Sequence, residues 1–142
     1  MRSRVKLSMV LGAAALALTG VSVTPAAGAD VSVQAYSCDI TTVRVGDGFQ
    51  YRAGYYNGVT VQPSTTSVSA AGKEAQCILK HKGFSPGTVD GVFGSNSQTA
   101  AKKFQARVNV LCQKEVLDVD GKIGPATWPY LRELFVCGND HN

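Results

Sequence analysis

Four cysteines, two histidines and two aspartates in echoing turns are the side chains of this 142-residue chain with chemistry to offer. Cys38, Cys77, Cys112 and Cys137 contain no C-x2-C pair, and His81 and His141 stand apart, so the spacing that sets two zinc ligands on one turn is missing. An even number of cysteines in a small exported chain points instead to two disulfides. Oxidised thiols are not nucleophiles, and a serine would need a base oriented by a third group. Two carboxylates can cleave a glycan, but the best pair, Asp90 and Asp120, sits in turns that need those side chains for structure. The run DVDGKIG has the outline of a calcium loop, with Lys122 standing where the third oxygen ligand belongs. The residues therefore lead us to expect no metal, no cofactor and no enzymatic activity.

Export is inferred from the first 29 residues. A basic start, MRSRVK, precedes the small and apolar run Leu7 to Val23, and Ala27-Gly28-Ala29 supplies the small-x-small pattern of a signal peptidase site. The run is 17 residues and is diluted by Ser8, Gly12, Thr19, Gly20 and Ser22, which suits a signal peptide at 1–29 better than a membrane anchor. The mature chain, 30–142, then keeps eleven cationic and all ten acidic side chains, a net charge of +1. Its Lys and Arg residues are scattered, unlike the clustered basic face of a nucleic-acid binder. The expectation is one secreted, monomeric domain with neither nucleic acid nor membrane as partner after signal cleavage, located outside the cell or in its wall.

Two textures follow one another along the mature chain. Residues 30–66 are rich in Val, Thr, Tyr and Gly without helical period. Thr41 to Val45 and Phe49 to Ala53 alternate around Gly46-Asp47-Gly48, which predicts a hairpin with Val43, Val45, Phe49 and Tyr51 on one face and Arg44, Gln50 and Arg52 on the other. From Ser67 the period is helical. Ala71, Ala75, Ile78, Leu79 and the Lys82 stem share a face until Gly83 closes the first helix. A second helix is expected from Ser95 or Ser97 to about Val108, with Ala100, Ala101, Phe104 and Val108 as its stripe and Asn109 as its left-handed terminator. A third begins at Pro125, or nearer Thr127 because of Pro129, with Trp128, Leu131, Leu134 and Phe135 facing inward.

The turns entering the last two helices repeat one another: Asp90, Gly91, Phe93, Gly94 and Ser97 align with Asp120, Gly121, Ile123, Gly124 and Thr127. In each, the carboxylate accepts backbone N–H bonds, the first glycine takes a conformation others avoid, the apolar residue enters the core and the last glycine lets the chain turn into a helix. Together with Gln76, Leu79, Gly83-Phe84, Phe104-Gln105 and Thr127-Trp128, these segments resemble the three-helix peptidoglycan-binding domain of bacterial wall hydrolases, over about Lys73 to Leu134. The chain departs from that pattern at Ala75, Ser97 and Asn109-Val110, and about seven extra residues within VLCQKEV precede Leu117. Cys112 lies in this insertion. Cys77 points away from the Ala75/Leu79 face, where it can meet either this insertion or the N-terminal segment; Cys77 with Cys112 and Cys38 with Cys137, which ties the two ends together, is favoured, and Cys38 with Cys77, and so Cys112 with Cys137, is the alternative.

The resemblance implies a mainly α fold, a three-helix bundle at 67–137, to which the residues add two disulfides, an N-terminal hairpin extension at 30–66 and a tail at 138–142. It implies a noncatalytic function, attachment to cell-wall peptidoglycan. Helix N-termini near Ser95 and Pro125 carry unpaired N–H groups that favour carboxylates, and stem peptides present carboxylates. The expected site is a groove between these two ends, with Phe93, Trp128 and Tyr130 as apolar contacts, Gln105 as a hydrogen-bond donor, and Ser95, Ser97 and Thr127 at the helix starts. The competing reading of each residue is local: caps and core. Tyr51, Tyr55 and Tyr56 form a second candidate surface for sugars, or else pack the hairpin on the bundle. A different class of function reuses the bundle to bind a protein, such as a secreted wall hydrolase, as partner, inhibitor or toxin component.

Overall fold

The computed structural model describes residues 34–134 and 136–137. The expected signal peptide, the expected tail and Phe135 lie outside the described residues. In chain order the elements are β1 (Thr41–Val45), β2 (Gly48–Arg52), α1 (Ala70–His81), α2 (Ser95–Leu111) and α3 (Thr127–Arg132). Three helices preceded by an antiparallel hairpin is the expected architecture. No helix among the described residues is long and apolar enough to cross a membrane.

The hairpin closes with two residues, not three. Gly48 pairs with Val45, leaving Gly46-Asp47 as the loop, and Gly46 takes φ +60° while Asp47 keeps a negative φ, as a type II′ turn requires. Shortening the loop by one residue reverses the faces of one strand relative to the other. Val43 therefore lies opposite Gln50, Arg44 opposite Phe49 and Thr42 opposite Tyr51, which corrects the expected grouping of Val43 and Val45 with Phe49 and Tyr51. Tyr51 packs on the bundle, its ring 4.6 Å from His81, whereas Phe49 is 52% exposed.

Each helix end has a local cause. Ser69 caps α1, its hydroxyl accepting from Gly72 N at 3.0 Å. Gly83, at φ +88°, ends it with a pair of bonds, Gly83 N to Lys80 O and Phe84 N to Leu79 O, the Schellman arrangement. Beside this end the Lys82 amine donates to Glu133 O, and burial pushes its pKa down to about 8 against the opposing pull of the Glu133 carboxylate. Helix α2 starts after Gly94, which offers no side-chain cap, and continues past Val108 to Leu111. Its left-handed terminator is Gln113 at φ 53°, not Asn109. The same pair of bonds recurs there, Gln113 N to Val110 O and Lys114 N to Asn109 O. Asn109 instead uses its side chain on the insertion: Oδ1 accepts from Val116 N and Leu117 N, and Nδ2 donates to Leu117 O at 2.8 Å. Helix α3 starts at Thr127 with Pro129 in its first turn and stops at Arg132, so Leu134 lies beyond it.

The core joins Ala71, Ala75, Ile78 and Leu79 of α1 to Ala100, Ala101, Phe104 and Val108 of α2, Trp128 and Leu131 of α3, and Phe93, Leu117 and Ile123 from the connections. At about 25 cal/mol per Å² of apolar surface, these large side chains supply most of the driving force. A charged pair completes it. Glu74 of α1 and Arg132 of α3 are both fully buried, with Nη1 to Oε1 at 2.9 Å. The Glu74 carboxylate also accepts from Ala53, Tyr55 and Tyr56 N–H, and Arg132 Nη2 donates to Tyr56 O and Gly58 O. Residues 53–58 of the extension are thus clamped to two helices. Burial lowers the Arg132 pKa from its ordinary value, with Glu74 opposing the shift.

The disulfides are Cys38–Cys77 and Cys112–Cys137. This overturns the favoured pairing of Cys77 with Cys112 and Cys38 with Cys137. The face of α1 opposite the bundle is covered by the extension, so Cys77, fully buried, meets Cys38 there. The insertion is tied to the residues after α3.

Candidate functional site

The two echoing turns are organised by two glutamines. Gln76 of α1 is buried; its Oε1 accepts from Gly91 N at 2.8 Å, and its Nε2 lies 3.0 Å from Asp90 Oδ1, 3.0 Å from Val92 O and 2.9 Å from Ser97 Oγ. Gln105 of α2 repeats this: Oε1 accepts from Gly121 N at 2.8 Å, and Nε2 lies 2.9 Å from Asp120 Oδ1, 3.0 Å from Lys122 O and 3.3 Å from Thr127 Oγ1. Each aspartate closes its own turn by accepting from the residue two ahead, Val92 N and Lys122 N. Gly91 and Gly121 have φ of +82° and +79°, and a Cβ at either would collide with Val68 or with the Gln98 carbonyl. Gly94 and Gly124 need no such freedom, since their φ values are not positive and the space around them is open. The last glycine of each turn is therefore not sterically required.

What lies over the turns differs. The extension pairs with the first, Tyr36 N donating to Val89 O and Phe93 N to Ser64 O, and the cap of α1 adds Ser69 N to Gly91 O. Beside the second lies a cleft of about 130 Å³ lined by Gln62, Leu117, Asp118, Asp120, Lys122 and Gly124 to Thr127, with Gln105 at its floor. A groove of about 430 Å³ adjoins it and shares Leu117, Asp118 and Ala126. Partial burial would raise the Asp120 pKa, but the Lys122 N–H, the Gln105 amide and the Lys122 charge outweigh it and hold this carboxyl below its usual value.

The family model for the peptidoglycan binding domain matches residues 69–131. Residues 69–131 carry a peptidoglycan-binding domain. The match begins at the cap of α1 and ends within α3, so it spans both glutamine-held turns and leaves the extension outside. No curated protein and no solved structure matches the chain.

Within this domain most of the residues expected to touch ligand are structural. Phe93, Ser97, Gln105, Thr127 and Trp128 are all buried. Their polar atoms are engaged internally: Ser97 Oγ donates to Pro86 O, and Trp128 Nε1 donates to Val61 O at 2.9 Å. Phe93, Ser97 and Trp128 line neither the cleft nor the groove beside it, whereas Gln105 and Thr127 reach the cleft with little exposed surface and their polar atoms already paired with each other. Ser95 is exposed and Tyr130 half-buried, and neither lines the cleft. Ser95 and Ser97 at the start of α2 do not share that cleft with the start of α3, so the groove expected between two helix ends is not brought together there. The tyrosines separate. Tyr51 packs on His81, Tyr56 lies 5.3 Å from Trp128, and Tyr55 stacks edge-on with Tyr36, over whose ring Lys73 Nζ sits at 3.6 Å.

Glu74 and Arg132 are the residues the sequence reading missed. The available signal was an acid on the same turn as Ala71 and Ala75, and an arginine beside Leu131, each where an apolar side chain was due.

Proposed function

We propose that the chain is a secreted, noncatalytic module that holds cell-wall peptidoglycan through its stem peptides, at the cleft where the second turn enters α3. The observation that carries this reading is the asymmetry of two otherwise equivalent turns: the extension hydrogen-bonds to the backbone of the first at Val89 and Phe93, whereas the second keeps an open cleft to which the extension contributes Gln62 as one lining residue. Lys122 on its rim offers a cation to a stem-peptide carboxylate, beside the backbone at the start of α3. Asp90 and Asp120 are bound into their turns as acceptors, which supports a binding role over glycan cleavage.

Cosedimentation with purified sacculi tests the reading. The oxidised mature chain is expected in the pellet at low and moderate salt, with Lys122→Ala reducing the bound fraction. A native chain that stays in the supernatant contradicts it.

A further inference from the structure

The insertion before the second turn is built into the fold. Cys112 is bonded to Cys137, Gln113 ends α2 in a left-handed conformation, and the Asn109 amide grips Val116 and Leu117 from below. Its product is the 430 Å³ groove, lined by Asn109, Glu115, Val116, Leu117, Asp118, Val119 and Ala126. That volume is in the range of small-molecule and side-chain sites.

The polar character of this groove is one-sided. Asn109 spends its amide on the backbone, which leaves Glu115 and Asp118 as the charged groups lining it. Among the described residues neither carboxylate has a hydrogen bond or ion pair. Asp120 and Lys122 line the adjoining cleft and not the groove, and Asp118 lines both. The carboxylates are spaced along the wall, and no group of three that could hold a metal ion forms among the described residues. A groove with aliphatic side chains from Val116, Leu117 and Val119 and unpaired carboxylates suits an ammonium on a flexible aliphatic arm.

We propose that the insertion groove takes the side-chain ammonium of a stem-peptide diamino acid, while carboxylates of the same stem lie toward Lys122. The inference rests on the peptidoglycan reading and deepens it. Charge complementarity selects the occupant: an amine matches the acidic groove, and Lys122 is the one cation in the lining of the adjoining cleft, which also holds Asp118 and Asp120 and meets the groove through Leu117, Asp118 and Ala126. An amine on a de-N-acetylated sugar shares this chemistry, so the test must separate the two sources.

Binding isotherms of the oxidised mature chain are measured on untreated sacculi, on sacculi with acetylated amines, and on glycan stripped of stems by an amidase. The Glu115→Gln/Asp118→Asn double variant is measured alongside, with its unfolding midpoint as a check that the fold is kept. Native protein is expected to bind acetylated sacculi about five- to tenfold more weakly than untreated ones, as for one or two exposed ion pairs. The double variant should show the weakened affinity on both and be indifferent to acetylation. Equal affinity of the native chain for untreated and acetylated sacculi overturns the inference and leaves the peptidoglycan reading standing, as does a double variant that stays sensitive to acetylation. Full binding to stem-stripped glycan places the amine on sugar and overturns the stem assignment. No binding to untreated sacculi removes the underlying reading, and the inference with it.

Discussion

The turn at Asp90 and the turn at Asp120 share their framework and differ in their neighbours. In both, a buried glutamine reads the whole loop through one amide, and a glycine with φ near +80° lets the backbone come close enough to be read. In the first copy the approach to α1 is closest at Gly72, where a Cβ would clash with Gly91 O. Lys73 lies across Gly91 as Lys102 lies across Gly121, but Lys73 then continues onto the Tyr36 ring of the extension, whereas Lys102 is exposed. The extension bonds to the backbone of one copy's turn and leaves a cleft beside the other's. A duplicated scaffold can thus be specialised by what is laid over it, without changing its own bonds.

The largest effect expected is on the clamp over the covered copy. Removing one partner of a buried ion pair strands the other charge, together with three N–H groups when Glu74 is lost or two carbonyls when Arg132 is lost, so Glu74→Ala or Arg132→Met should cost about 3–5 kcal/mol in urea unfolding. Equal costs for Glu74→Ala and an exposed Glu115→Ala would remove the clamp from the account. The disulfides come next. With separations of 39 and 25 residues, loop closure gives about 4 kcal/mol for Cys38–Cys77 and about 3.5 kcal/mol for Cys112–Cys137. Peptide mapping under non-reducing conditions checks the pairing. Loss of the first bridge should expose 34–68 to protease, and loss of the second should loosen the insertion and leave the first turn protected.

Smaller changes sharpen the likeness between the copies. Gly91→Ala and Gly121→Ala should each destabilise by about 1–3 kcal/mol through left-handed strain and contact, while Gly94→Ala and Gly124→Ala should fall within about 0.5 kcal/mol of wild type. Thermal midpoints of the four variants decide it. On the open side, Gln113→Gly relieves a non-glycine residue at φ 53° and should stabilise by about 0.5–1 kcal/mol. The smallest effect concerns Lys82. Its folded pKa of about 8 lies below the ordinary 10.5, so between these values the unfolded chain binds more protons and stability rises with pH. Solvent screening limits that rise to about 1 kcal/mol, and Lys82→Met should flatten it.

The helices, their order and the echoing turns were legible because each rests on local patterns: a 3.6-residue stripe, Gly83 after the last apolar position, an Asp-Gly turn repeated. Local reasoning failed where a partner distant in sequence decides. Phe93 and Trp128 look like surface anchors by type, but the extension supplies Ser64 O and Val61 O to their neighbourhood and closes them in. Glu74 meets Arg132 across 58 positions, which no periodicity marks. The strand faces were reversed by one loop residue, Gly48, which joined β2 in place of the turn. Asn109 had the right propensity to end a helix, yet its amide is better used on the insertion seven and eight residues ahead, and Gln113 bears the left-handed position instead.

The central claim is that the second copy binds and the first does not. An amide-resonance titration of the ¹⁵N-labelled mature chain with soluble muropeptides tests it most directly. Shifts concentrated in 115–127, with Thr88 to Ser97 unmoved, are the expected result; shifts centred on Thr88 to Ser97, with 115–127 silent, would contradict the account.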